Sequence, residues 1–170
     1  MVETLSQLFM NTVKSFPKND LMLYKEDGIY TPISTEEFEK KVKHFALGLK
    51  VLGYEAGDKL VILSENRPEW VMTDLANLCV GGVTVPIYTS LVPEQIKYII
   101  DNSDAKVVVF SDEEMWEKIK AVKSDLVKVD HYITYHTEVP EGVASFTEVQ
   151  KRGETLAEEQ PDLFAELALK

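Results

Sequence analysis

The side chains able to do acid–base or nucleophilic chemistry are few and scattered. The histidines, His44, His131 and His136, form no recognisable triad or ligand pair, so each reads as a surface or packing residue. The single cysteine, Cys79, falls in an apolar stretch, where a small buried hydrophobe fits better than a reactive thiolate. One cysteine also forbids an internal disulfide. Carboxylates are plentiful but cluster where helices expose them, as at Glu36, Glu37 and Glu39, and capping and solvation explain them better than proton transfer. The sequence holds no Gly-x-x-x-x-Gly-Lys-Ser/Thr phosphate loop, no Gly-x-Gly-x-x-Gly, no Gly-x-Ser-x-Gly and no Cys/His set at metal-ligand spacing. No catalytic residue and no metal ligand is therefore assigned.

Two segments still place polar groups where open α/β sheets put their sites, beyond the carboxyl ends of strands. They are Ser64-Glu65-Asn66-Arg67-Pro68-Glu69-Trp70 and Tyr88-Thr89-Ser90-Leu91-Val92-Pro93-Glu94. Each follows an apolar run and opens a helical pattern, so each presents backbone amides that could face an anion. The plainer reading of both is a turn with a helix cap.

The elements that carry these segments are legible from periodicity. Residues 3–13 form an amphipathic pattern with Leu5, Leu8, Phe9 and Val13 on one face. Two short extended runs, 21–25 and 28–32, flank Asp27-Gly28, a pair suited to a tight hairpin turn. Ser34 with Glu37 reads as a capping box for a helix whose apolar face is Phe38, Val42, Phe45, Leu49 and Leu52, ended by Gly53. Beyond Lys59, β-rich runs at 60–63, 83–87, 107–110 and 131–135 alternate with helical patterns at 69–80, 93–102 and 112–123. Ser111-Asp112-Glu113-Glu114 is expected to cap the last of these. Apolar strands joined by crossover helices predict an α/β fold: a mostly parallel sheet with helices on both faces, plus the small antiparallel hairpin. Pro86 is expected at a strand end or bulge, because it cannot donate to a ladder. Ser145 caps a short helix ending near Gly153, and residues 155–170 are expected as a loosely docked acidic tail. Nothing divides the 170 residues, which are expected to form one domain.

Composition narrows the partners. Apolar residues make up 45% and charged residues 28%, which excludes disorder along the whole length. A net charge of −11 without a dense Lys/Arg patch excludes a nucleic-acid surface and disfavours electrostatic docking on anionic membranes. No basic segment leads into an apolar run, and no apolar run is long enough to span a bilayer. A cytoplasmic protein is expected, with peripheral membrane contact left open.

Three phrases in register carry a resemblance. Gly57-Asp58 followed by Val61-Ile62-Leu63-Ser64-Glu65-Asn66-Arg67-Pro68-Glu69-Trp70, then Gly82-Val83-Thr84-Val85-Pro86-Ile87-Tyr88-Thr89-Ser90-Leu91, then Asn102-Ser103-Asp104-Ala105-Lys106-Val107-Val108-Val109, resemble the N-terminal part of adenylate-forming acyl-CoA synthetases. The Glu-Asn-Arg-Pro-Glu-Trp and Pro-Ile-Tyr-Thr-Ser wording is similar to the long-chain fatty acid branch. The likeness covers the hairpin to Phe110 and, more loosely, the rest. It implies a two-step reaction: a fatty acid carboxylate attacks the α-phosphate of ATP to give acyl-adenylate and pyrophosphate, and coenzyme A then displaces AMP to form a thioester. Mg²⁺ and fixed positive groups would stabilise the phosphoryl charge. The family's Ser/Thr/Gly-rich phosphate-gripping signature, its ribose-holding acidic residue and its lid lysine do not occur in these residues, so the chain is expected to be an N-terminal piece, inactive by itself and holding no cofactor alone. In short-acyl relatives an aromatic-Gly-Gly stretch lines the coenzyme A channel at the position of Tyr88, Thr89 and Ser90. The resemblance thus implies a channel role for these three, with Thr and Ser narrowing the backbone freedom that glycine gives.

Two other readings remain open at this level. One is a complete non-catalytic α/β module for partner binding or regulation. The other is a flavodoxin-like domain, which would need a phosphate loop that the first crossover lacks. Self-association is expected if apolar surface is left uncovered.

Overall fold

A computed structural model of the chain describes residues 3–26 and 28–170. The chain opens with helix α1 (Leu5–Ser15), whose first turn is capped by the Thr4 hydroxyl accepting the Gln7 N–H. Its buried side is Ser6, Phe9 and Val13, whereas Leu5 and Leu8 face solvent. The expected stripe was therefore set too far round the helix, because Phe9 meets Phe38 edge-on and the Ser6 hydroxyl reaches the Leu78 carbonyl. Strands β1 (Met22–Glu26) and β2 (Ile29–Ile33) pair antiparallel as the hairpin. Asp27 of the expected turn lies outside the described residues; Gly28 holds the left-handed φ of +84° that a tight turn requires.

Helix α2 (Thr35–Val51) begins where the Ser34 hydroxyl accepts the Glu37 N–H at 3.1 Å. The Glu37 carboxylate pairs instead with Lys41, one turn along, at 2.7 Å. Gly53, at φ +83°, ends the helix as expected.

Strand β3 (Lys59–Leu63), helix α3 (Pro68–Cys79), strand β4 (Val83–Ile87), helix α4 (Pro93–Ser103), strand β5 (Val107–Phe110), helix α5 (Glu113–Lys120) and strand β6 (His131–Thr134) follow in strict alternation. A two-residue strand, β7 (Ala144–Ser145), completes a parallel sheet of order β4-β3-β5-β6-β7. Because side chains alternate across a strand, the sheet builds two cores. Leu60, Ile62, Val107, Val109 and Ile133 face a layer formed by α1, α2, α3 and the C-terminal helices. Val61, Leu63, Val108, Phe110 and Tyr132 face α4 and α5. All four apolar residues of β3 are fully buried, as a strand covered on both faces demands.

Four further expectations are corrected. Pro86 lies inside β4, opposite Ile62, not at an end or bulge. The Val83 N–H donates to the Asp58 carbonyl, so alternation turns Thr84 and Pro86 to the open side, and a missing donor there breaks no ladder bond. The cap of α5 is Asp112, whose carboxylate accepts the Met115 N–H at 3.0 Å, while the Ser111 hydroxyl merely donates to Asp112. Gly153 does not stop a helix: α6 (Phe146–Glu159) runs through it, with Ser145 as its cap. There the lack of a side chain lets α6 cross α2 at Gly48, since a Cβ on Gly153 would stand 1.8 Å from the His44 carbonyl oxygen. Finally, the acidic C-terminal stretch is no loose tail. Helix α7 (Leu163–Ala168) buries Phe164 and Ala168 in the same core as α1 and α3. Among the described residues no helix is long and apolar enough to cross a membrane.

Candidate functional site at the carboxyl edge of the sheet

Strand order locates the site. From β3 the chain moves outward to β4, then returns across β3 to β5. Helix α3 therefore covers one face and α5 the other, and the carboxyl ends of the adjacent strands β3 and β5 form the switch point at which such sheets place their ligands. Around it come Ser64–Arg67 after β3, Ser111 and Asp112 after β5, and Tyr135 and His136 after β6. The Tyr88-Thr89-Ser90 turn stands one strand further out, beyond β4.

Arg67 is the best-connected polar group at this edge. It is the N-cap residue of α3 in extended backbone (φ −158°, ψ 162°), and Pro68 occupies the first helical position, where its missing N–H leaves nothing unpaired. The guanidinium donates from Nε to Glu69 Oε2 at 2.8 Å, pairs through Nη1 with Glu65 Oε1 at 3.5 Å, and lies 5.2 Å from the Tyr135 ring centroid. Burial lowers the affinity of this group for its proton, but Glu69 and Glu65 outweigh burial and hold it firmly charged. Tyr135 is fixed in turn by a 2.7 Å hydrogen bond between its hydroxyl and that of the buried Thr73. Burial drives its phenol far above the ordinary range, so it stays neutral. The Glu-Asn-Arg-Pro-Glu phrase thus encodes a self-satisfied brace between β3, α3 and β6, with two carboxylates already on its one cation.

The helix amino ends tell the same story. Neither α3 nor α4 has a side-chain cap at its first residue, yet each carries proline at the start and a carboxylate, Glu69 or Glu94, in its first turn. Those carboxylates already complement the helix dipole, which leaves little field for the anion that the sequence segments could have faced.

The three residues singled out for a ligand channel lie together on one turn. Tyr88 is 81% exposed, Ser90 is exposed and Thr89 is half-buried. Neither Thr89 nor Ser90 adopts a positive φ, so the turn does not call for glycine. The Leu91 N–H closes it onto the Tyr88 carbonyl at 3.2 Å, and Lys118 Nζ, from α5, donates to the Thr89 carbonyl at 2.6 Å. The turn can offer an aromatic face and two hydroxyls; it positions no base beside a nucleophile.

Two concavities escaped sequence reasoning. A groove of about 1130 Å³ runs between the hairpin and the starts of α3 and α6, lined by Met22, Tyr24, Ile33, Arg67, Met72 and Phe146. A smaller one of about 330 Å³ lies past β5 and β6 against Phe110, Asp112, Trp116 and His136. Each gathers side chains from three or more elements, so no local pattern announces it. The histidines do not converge: His44 lies 4.0 Å from Glu154, His131 Nε2 is 3.0 Å from the Leu52 carbonyl, and His136 Nδ1 accepts the Glu138 N–H. Among the described residues no group of three or more His, Cys, Asp or Glu could hold a metal ion.

Against this geometry, the family described as AMP-binding enzyme matches residues 9–166. The long-chain-fatty-acid–CoA ligase FadD15 of Mycobacterium bovis is 41% identical over 95 residues, 55% of this chain and 16% of that protein. The long-chain-fatty-acid–CoA ligase ACSBG1 of Bos taurus is 26% identical over 163 residues, 94% of this chain and 22% of its own length. Among solved structures, the anthranilate CoA ligase AuaEII superposes with a TM-score of 0.79 at 20% identity, over 88% of this chain and 28% of that one. Acetoacetyl-CoA synthetase from Streptomyces lividans gives 0.78 at 18%, over 85% and 24%. The chain thus spans about a fifth of the length of these curated relatives. The three phrases that carried the resemblance fall on β3–α3, on β4 with its turn and on α4–β5, and with the match extending over residues 9–166 the chain belongs to the AMP-binding enzyme family.

Proposed function

We propose that these 170 residues are the scaffold half of a sheet subdomain in a long-chain fatty acid–CoA ligase, an enzyme joining fatty acid and coenzyme A at the expense of ATP through an acyl-adenylate. The observation that carries this reading is the alignment of 94% of the chain with a long-chain ligase at 26% identity, together with the Arg67 brace that the Glu-Asn-Arg-Pro-Glu phrase builds. In this reading the chain orders β3 and β5 and presents the Tyr88-Thr89-Ser90 turn to the coenzyme A channel. It contributes no group that attacks, protonates or grips phosphate. The described residues offer no group of three or more His, Cys, Asp or Glu side chains for Mg²⁺.

The test is direct. The purified chain is incubated with ATP, Mg²⁺, palmitate and coenzyme A, and pyrophosphate, AMP and palmitoyl-CoA are followed. None is expected to form above the buffer blank. Turnover at the rate of an intact ligase would overturn the scaffold reading, because it would require reactive groups that the carboxyl edge does not show.

A further inference from the structure

The Tyr88-Thr89-Ser90 turn is held in an unusual manner for a loop at a sheet's edge. Its aromatic ring is 81% exposed and rests on no core, and Ser90 is exposed as well. Side-chain packing therefore does little to fix it. Its backbone carries no left-handed residue that would lock one conformation. Among the described residues, one side-chain hydrogen bond reaches the turn from another element: Lys118 Nζ to the Thr89 carbonyl, at 2.6 Å. Lys118 lies on α5, twenty-nine positions along the chain, and its side chain is only 22% exposed. Glu114, one helical turn earlier, pairs with the same ammonium at 3.1 Å. A charged donor on a neutral carbonyl is among the stronger single hydrogen bonds. Here it joins a solvent-facing turn to a helix whose other side is anchored by Trp116 and Ile119 in the second core.

We propose that Lys118 is a positioning residue for ligand binding at this turn: by holding the Thr89 carbonyl it orders the backbone from which Tyr88 meets coenzyme A. The proposal rests on the reading of the turn as part of the coenzyme A channel. Thr89 and Ser90 replace glycines that would have let the backbone itself approach the ligand, so the Tyr88 ring, carried on an ordered backbone, supplies the recognition. A turn pre-ordered before binding spares the ligand the loss of freedom that ordering it would otherwise entail.

The test uses the full chain, ¹⁵N-labelled, as wild type, Lys118→Met and Lys118→Arg. In Lys118→Met the backbone order parameters of residues 88–90 are expected to fall from about 0.85 to below about 0.6, with the thermal midpoint unchanged and Lys118→Arg restoring order. Coenzyme A raised to millimolar concentration, since one wall of the channel holds it only weakly, is expected to shift the amides of 88–90 in the wild type and, with affinity about tenfold lower, to leave them nearly unmoved in Lys118→Met. Unchanged order parameters in Lys118→Met overturn the clamp whatever coenzyme A does. A loss of more than about 5 °C in thermal midpoint overturns it too, by making Lys118 a general stabiliser. Shifts that avoid residues 88–90 in the wild type overturn the channel reading itself, and a loosened turn in the variant would then mark the two failures as separate.

Discussion

Replacing Gly153 with alanine probes the close approach of α6 to α2. In a free helix the change would stabilise by about 1 kcal/mol, since alanine is the better helix former. Here the new Cβ would stand 1.8 Å from the His44 carbonyl oxygen and 2.4 Å from the Gly48 nitrogen, where real Cβ atoms essentially never approach below 3.0 Å. Both obstacles are backbone of α2, so no side chain can swing aside and α6 must retreat by about 1 Å or more. That retreat strains a packed interface, worth about 1–3 kcal/mol. It also pulls apart the Phe45–Phe146 stack, whose centroids lie 4.4 Å apart and whose geometry is worth about 0.5–1.5 kcal/mol. The net expectation is a loss of about 2 kcal/mol, the reverse of what helix propensity alone would give. Urea unfolding followed by circular dichroism reads it as a lower midpoint at constant slope, with Lys151→Ala, on the exposed side of the same helix, as a control that should move by less than about 0.5 kcal/mol. Equal or greater stability in Gly153→Ala would show that the two helices are not in backbone contact there, and the account of α6 would fall.

Gly82→Ala should lower stability by a similar amount, about 2 kcal/mol, because its Cβ would lie 2.0 Å from the Oδ1 of buried Asn77 and 2.8 Å from the Tyr54 ring; an unchanged urea midpoint would show that Asn77 can move aside. The Cys79 thiol is fully buried and burial pushes it up to about 12, so a thiol reagent at pH 8 should label it only as denaturant unfolds the chain, and prompt labelling of the native protein would contradict that placement. Asp58 responds to acid: burial alone would raise its carboxyl, but the Glu55 N–H and Lys106 outweigh burial and hold it below its ordinary 3.8. Its contribution is then present above about pH 4 and lost as pH falls through the depressed value. Asp58→Asn should flatten the acid limb of the stability profile, and an unaltered limb would remove Asp58 from that role.

The elements were legible wherever local chemistry and tertiary demand agree. The runs at 83–87 and 107–110 became β4 and β5 without adjustment, and Ser34 and Ser145 cap the helices they were expected to cap. Errors arose where a neighbour in space overrode a local signal. Gly153 reads as a stop because glycine usually ends helices, yet α2 lies against it and needs that gap. Leu5 and Leu8 read as core because they are apolar, yet Phe38 and Leu78 approach the other flank. Pro86 reads as a break because it lacks a donor, a defect that matters only where the missing N–H would face a neighbouring strand. For the site, the Tyr88-Thr89-Ser90 turn was visible as wording, but Lys118, the residue that holds it, was not, because the contact spans twenty-nine positions.

Taken alone, the sequence determined the class of fold, the alternation that sends β3 and β5 side chains into two separate cores, and the family to which three short phrases point. Those properties follow from periodicity and residue type, which act over a few positions. Tertiary structure alone decided that Arg67 is occupied by two carboxylates and a ring, that the acidic C-terminal stretch docks as a helix, and that a lysine from α5 reaches the turn beyond β4. These depend on which surfaces meet in space, and contacts between distant segments leave no period in the chain to read.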